Sequence, residues 1–206
     1  MGLLALLLAF TFGMSNSRFD DRRKLAVEEA NIIGTAVLRA DFYPDSMRTI
    51  LRNHFEEYLE ARIGFLLAGL DQEKLIKEYY RADEISNDLW KIVAEYGKTN
   101  ESITRTAEMI PALNAMIDIT TTRRAAGEAN IPNSIQYFLM ILCLCATALL
   151  GYERKNKFDL IIVVGFSLML SLTIFTIFDM DRPRNGFVTL DEANTKIIEL
   201  RSMFKD

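Results

Sequence analysis

Charge distribution constrains this chain more than any other feature: three apolar blocks contain no charged residue, although 25% of the 206 residues are Asp, Glu, Lys or Arg. The clearest block runs from Leu160 to Phe178. As a helix it reaches about 28 Å, matching a hydrocarbon core about 30 Å thick. The block from Ser134 to Tyr152 is equally uncharged, with Gln136 near its entry and Tyr137 and Tyr152 where interfacial aromatics belong. The connection 153–159 is short and polar, so these two blocks form an antiparallel hairpin.

The third block, Gly2 to Met14 extended by Ser15, Asn16 and Ser17, reaches about 24 Å, short for a span but tolerable with tilt or local thinning. Its alternative reading is a cleaved signal peptide. The charge order opposes that alternative: no basic residue precedes the apolar run, while Arg18, Arg22, Arg23 and Lys24 follow it. A retained anchor is therefore expected. Ala5, Ala9 and Gly13 make a small-residue stripe along it that would let another helix approach closely in lipid. With three spans, 17–133 and 179–206 share one side of the membrane. Arg18, Arg22, Arg23, Lys24, Arg123, Arg124, Arg182 and Arg184 lie near the membrane on that side, against Arg154, Lys155 and Lys157 on the other, so the larger segment is expected to be cytoplasmic.

Between the first and second spans no run alternates with period two, and apolar positions recur at three and four. Four amphipathic helices are expected. The first continues from the membrane through Ala26, Ala30, Ile33 and Val37 until Pro44 stops it. A second, capped by Asp45 or Ser46, carries Met47, Ile50, Leu51, Phe55, Tyr58, Leu59 and Phe65. A third follows Asp71 with Leu75, Ile76, Tyr79, Ile85, Leu89 and Val93, and stops at Gly97. A fourth runs to Asn130 with Ile103, Ala107, Ile110, Leu113, Ile117 and Thr121, kinked or restarted at Pro111, before Ile131-Pro132-Asn133 turns into the second span. A short helix from Asp191 to Phe204, striped by Ala193, Ile197 and Leu200, closes the chain. The expected architecture is all-α: a first transmembrane helix (1–17), a bundle of four-helix type (18–133), a transmembrane hairpin (134–178), and a turn with a C-terminal helix (179–206).

Little supports catalysis. The sole histidine, His54, sits among Leu51, Phe55 and Tyr58, where a packed or surface role outweighs a general base. No nucleophile elbow, phosphate loop or zinc spacing occurs, and no cofactor is expected. Net charge −4 excludes a strongly basic nucleic-acid binder. Cys143 and Cys145 lie two residues apart inside a span, on different helix faces, so neither a disulfide nor a metal is expected from them. Asp179 and Asp181 flanked by Arg182 and Arg184 favour internal salt bridges or a cap over a cation site. Glu28, Glu29 and Asn31 read as a solvated face or as partners in inter-helix salt bridges.

The order of elements carries a resemblance. Leu8-Ala9-Phe10-Thr11-Phe12 is followed by Ser17-Arg18-Phe19-Asp20-Asp21-Arg22-Arg23-Lys24 and Glu28-Glu29-Ala30-Asn31. Ala36-Val37-Leu38-Arg39-Ala40, Leu113-Asn114-Ala115-Met116-Ile117-Asp118, Ile131-Pro132, and Asp181-Arg182-Pro183-Arg184-Asn185-Gly186-Phe187 come after them. Over nearly its whole length the chain resembles the bacterial bestrophin-like membrane proteins. That resemblance implies a homo-oligomeric, pentameric channel for small inorganic anions in the bacterial inner membrane, its pore lined by the first span. Phe10, Phe12 or Met14 would then form a hydrophobic constriction, and Arg18, Arg22 and Arg23 would attract anions at its mouth. Such proteins commonly have four spans, and this chain opens at what would be the second. The acidic calcium clasp that some bestrophins carry after the last span is reduced here to Asp179 and Asp181 flanked by arginines, so calcium gating is not implied. The alternative function is a membrane-anchored scaffold whose helical bundle binds a partner protein.

Overall fold

A computed structural model describes residues 2–98, 103–152, 157–182, 184 and 186–205; the 153–156 part of the hairpin loop, Pro183 and Asn185 lie outside these. The described residues contain helices and no strand: α1 (Gly2–Ala40), α2 (Asp45–Leu67), α3 (Gln72–Tyr96), α4 (Ile103–Glu128), α5 (Asn133–Tyr152), α6 (Lys157–Asp181) and α7 (Asp191–Glu199), followed by a 3-10 turn at Leu200–Phe204. Three stretches, within α1, α5 and α6, are long and apolar enough to cross a membrane. The first apolar block runs unbroken into the first amphipathic stripe, as expected, giving one helix of 39 residues.

The chain divides into two compact units. The first comprises 1–21 and 127–189. Its core joins Leu4 of α1 to Leu139, Cys143 and Ala146 of α5 and to Leu170 and Ile177 of α6. Ser15, fully buried, donates its hydroxyl to the Ile177 carbonyl at 3.1 Å. Thr11 is also buried and returns its hydroxyl to Leu7 of its own helix at 2.7 Å, so neither polar group is stranded in the apolar layer.

The second unit comprises 22–126 and 190–206. Ile33, Ala36, Val37 and Ala40 of α1 meet Leu51, Phe55 and Tyr58 of α2, Ala82, Leu89 and Val93 of α3, and Met109, Leu113 and Met116 of α4. The closing segment is strapped onto this bundle. Ile197 is buried against Ala30, Leu59 and Ile63, and Arg201 grips Glu60 through two bonds of 2.6 Å.

Several local expectations change. No side chain caps α2: Pro44, with φ −60°, occupies the N-cap, and Asp45 instead pairs with Arg48 at 3.0 Å. The helix begins at Asp45 itself, earlier than expected, so the cap position falls on Pro44, whose side chain carries no acceptor. Asp71 does cap α3, accepting from the Lys74 N–H at 3.0 Å, and Gly97 ends it. α4 passes through Pro111 unbroken and ends at Glu128 rather than Asn130. Its buried stripe is Met109, Ala112, Leu113, Met116 and Ile119, so Ile103, Ala107 and Thr121 are exposed and Ile110 and Ile117 half-buried. Ile50 and Ile76 also fall outside the core.

Candidate functional site

The first turns of α1 bury one face and leave the rest uncovered. Leu4, Thr11 and Ser15 define the buried face, and the small residues Ala5, Ala9 and Gly13 all lie off it, exposed. A Cβ built on Gly13 would meet nothing within 4 Å, so the chain itself does not use this stripe for close helix packing. Leu6 and Phe10, one turn apart, are 66% and 64% exposed, whereas Phe12 is 42% exposed.

Helical geometry separates the expected constriction residues. At 3.6 residues per turn each residue advances about 100°, so Phe12 lies about 160° around α1 from Phe10, while Met14 lies only about 40° away. Phe10 and Met14 therefore share an arc with Leu6, and Phe12 points the other way. Leu6, four residues from Phe10 and equally exposed, was not among the expected residues although its spacing was visible.

Of the three collar arginines, two are committed within the chain. Arg18 reaches Asp181 at 3.4 Å. Arg22 is only 4% exposed and donates Nε–H to the Ala126 carbonyl at 2.9 Å. Arg23 is exposed but lies eleven residues from Phe12, hence about 20° from it and far from the Phe10 arc. Below Phe10 that arc carries Ser17, Asp21, Lys24 and Glu28, a mixture of both signs.

Asp179 and Asp181 act on backbone. Asp179 accepts the N–H groups of Phe187 and Val188 at 2.8–3.0 Å, closing the loop after α6. Gly186 makes this possible, because a Cβ there would collide with the Asp179 carboxylate. Asp181 accepts the Ile131 N–H at 2.8 Å besides its contact with Arg18. Among the described residues no group of three or more His, Cys, Asp or Glu could hold a metal.

The strongest electrostatic feature of the second unit settles the two roles that the sequence left open for Glu29 in favour of inter-helix salt bridges. Glu29 is completely buried on α1, receiving Nε–H of Arg62 from α2 at 2.5 Å and a bond from Arg123 of α4. Arg123 also donates to Asn194 of α7 at 2.9 Å. Burial would push the Glu29 carboxyl up, but the two guanidinium groups outweigh it and hold it below the usual carboxylate value. The available signal was positional: Glu29 falls on the same face as Ala26, Ala30 and Ile33, the face that becomes core. His54, by contrast, is half-buried and turns Nδ1 toward the Ile50 carbonyl of its own helix at 2.9 Å.

Comparison with known proteins adds one finding: the model of the Bestrophin-like domain family matches residues 2–195. No curated protein and no solved structure matches the chain.

Proposed function

This chain belongs to the bestrophin-like family, which is associated with channels rather than enzymes, and from that premise we propose that it is the subunit of an oligomeric channel for small inorganic ions, its pathway lined by α1. The observation that carries the reading is the uncovered arc of Leu6 and Phe10 on a helix whose opposite face is packed against its own hairpin. Repeated around a ring of copies, pentameric by family resemblance, these side chains form successive apolar collars that gate by wetting and dewetting. Met14 borders the constriction. Phe12, Ala5 and Ala9 then face a neighbouring subunit. The bundle lies on the cytoplasmic side of the bacterial inner membrane, following the basic residues at the ends of the spans.

Anions are the ions that the resemblance implies. Arg18 and Arg22, held by Asp181 and the Ala126 carbonyl, stabilise the fold in this reading. Lys24 shares the Phe10 arc with Asp21 and Glu28, so selectivity is assigned to the constriction rather than to a basic collar. Single-channel recording of purified protein in planar bilayers under a salt gradient tests the proposal. Phe10→Ala should raise conductance several-fold with the protein still assembled, and Phe12→Ala should leave it near the wild-type value. Assembled protein without current contradicts the proposal and favours a scaffold. A reversal potential of cation sign contradicts the anion preference alone.

A further inference from the structure

α6 divides its side chains between two faces. Leu170 and Ile177 are buried in the core of the first unit, and Leu172 and Phe175, each two residues from one of them, lie about 160° away around the helix. Ile161, Leu168, Leu172 and Phe175 therefore share an arc that faces away from that core, and all four are more than half exposed. Asp179 falls on the same arc, four residues after Phe175, yet it is only 7% exposed. What covers it is the stretch Gly186-Phe187-Val188, whose Phe187 and Val188 N–H groups donate to its carboxylate at 2.8–3.0 Å.

These bonds staple the chain back along α6 toward the span. The Phe187 ring meets the Phe175 ring edge-on, with centroids 5.9 Å apart, and Phe175 precedes Asp179 by about 6 Å of helix rise. Phe175 belongs to the charge-free block that runs from Leu160 to Phe178. Phe187 thus lies beside the last turn of a membrane-spanning run, and it is 87% exposed. All of these contacts fall within the first unit.

We infer that Phe187 is a lipid-contacting residue, an aromatic wedge that the Asp179 staple seats among the acyl chains at the end of α6. Lipid is the occupant because Phe187 extends the outward arc of α6 without a break, and from Ile161 to Phe175 that arc carries large apolar side chains and no charge. Spans that pack closely against one another use small residues at four-residue spacing. The arc holds one small residue, Gly165, with Ile161 and Met169 four residues to either side of it. Non-helical backbone can approach hydrocarbon only with its N–H groups satisfied, and Asp179 satisfies those of Phe187 and Val188. A carboxylate at the end of a span is costly without such donors, so the same bonds account for its burial. The inference rests on the membrane-spanning helices and not on ion conduction.

The full chain is reconstituted in phosphatidylcholine–phosphatidylglycerol vesicles brominated on the acyl chains, with Phe187→Trp or Phe175→Trp in a Trp90→Phe background. The wild type, whose sole tryptophan is Trp90 of α3, serves as comparator. Tryptophan at 187 and at 175 should be quenched by the brominated lipid several-fold more than Trp90, and should be shielded from iodide. Adding Gly186→Ala, whose Cβ would displace the Asp179 carboxylate, should bring quenching at 187 down toward the Trp90 level and leave it unchanged at 175. Asp179→Ala removes the acceptor without that collision and should do the same. Iodide quenching at 187 equal to that of Trp90 overturns the inference. Protection from both quenchers also overturns it, since a neighbouring subunit then covers the ring. Bromine quenching at 187 that neither Gly186→Ala nor Asp179→Ala lowers overturns the role of the staple. If Phe187→Trp folds poorly, protection of tryptophan at 175 from the brominated lipid still overturns the inference, because the arc is then not a lipid face.

Discussion

Glu29 carries the most consequence of any single side chain in the bundle, because a fully buried carboxylate is stable there only while both arginines face it. Glu29→Gln removes the charge and leaves Arg62, itself buried, uncompensated. It should destabilise the protein by about 3–5 kcal/mol, read as a lowered denaturation temperature in detergent. The pH dependence follows from the sign of the shift. The folded carboxyl is held below its unfolded value, so its stabilisation is present above the unfolded pKa and is lost as pH falls through the folded one. Wild-type stability should therefore drop below about pH 4, and Glu29→Gln should flatten that part of the profile. Unchanged thermal stability across the same range in both proteins would contradict this account. The sequence showed that inter-helix salt bridges were one role open to this carboxylate, but it could not choose between that and a solvated face. The choice depends on Arg62 and Arg123 arriving from 33 and 94 residues away.

At the scale of elements, the helices were legible wherever one periodicity dominated. α1 reads directly because Ala26, Ala30, Ile33 and Val37 leave a single apolar face, and all four are buried. α4 was misread in phase. Its isoleucines at 103, 110 and 117 form an apolar line as regular as the true core line through Met109, Leu113 and Met116. Three-dimensional packing against α1 and α3 selects the second line, and no local propensity distinguishes them. The corrected phase predicts that Met116→Ala, which empties a fully buried site, costs about 2–5 kcal/mol, and that Ile117→Ala at a half-buried site costs clearly less. Denaturant or thermal titration of the two variants checks it; the reverse order would restore the original phase. Capping shows the same division. The start of a helix after Asp71 was legible, whereas α2 begins at Asp45 rather than after it, which leaves Pro44, without an acceptor, in the cap position.

On the scale of the whole molecule, the three apolar blocks, the all-helical build and the bestrophin-like family were all legible in sequence, since charge-free length and motif order survive without any knowledge of packing. The proposed pathway was only partly legible. The resemblance implied Phe10, Phe12 or Met14 as the constriction, and helical spacing puts Phe12 on a different face from Phe10, which shares its face with Leu6. It likewise offered three arginines to the mouth, and the folded chain occupies two of them internally. The central claim is that copies of this chain form a ring with the Leu6 and Phe10 arc of α1 on its axis. Single-particle imaging of the detergent-purified protein, giving subunit count and axial radius profile, tests it most directly. The account predicts a closed ring, pentameric by family resemblance, narrowest at Leu6 and Phe10 and wider on either side. A monomer, a dimer, or a ring whose axis is filled or lined by Phe12 would contradict it.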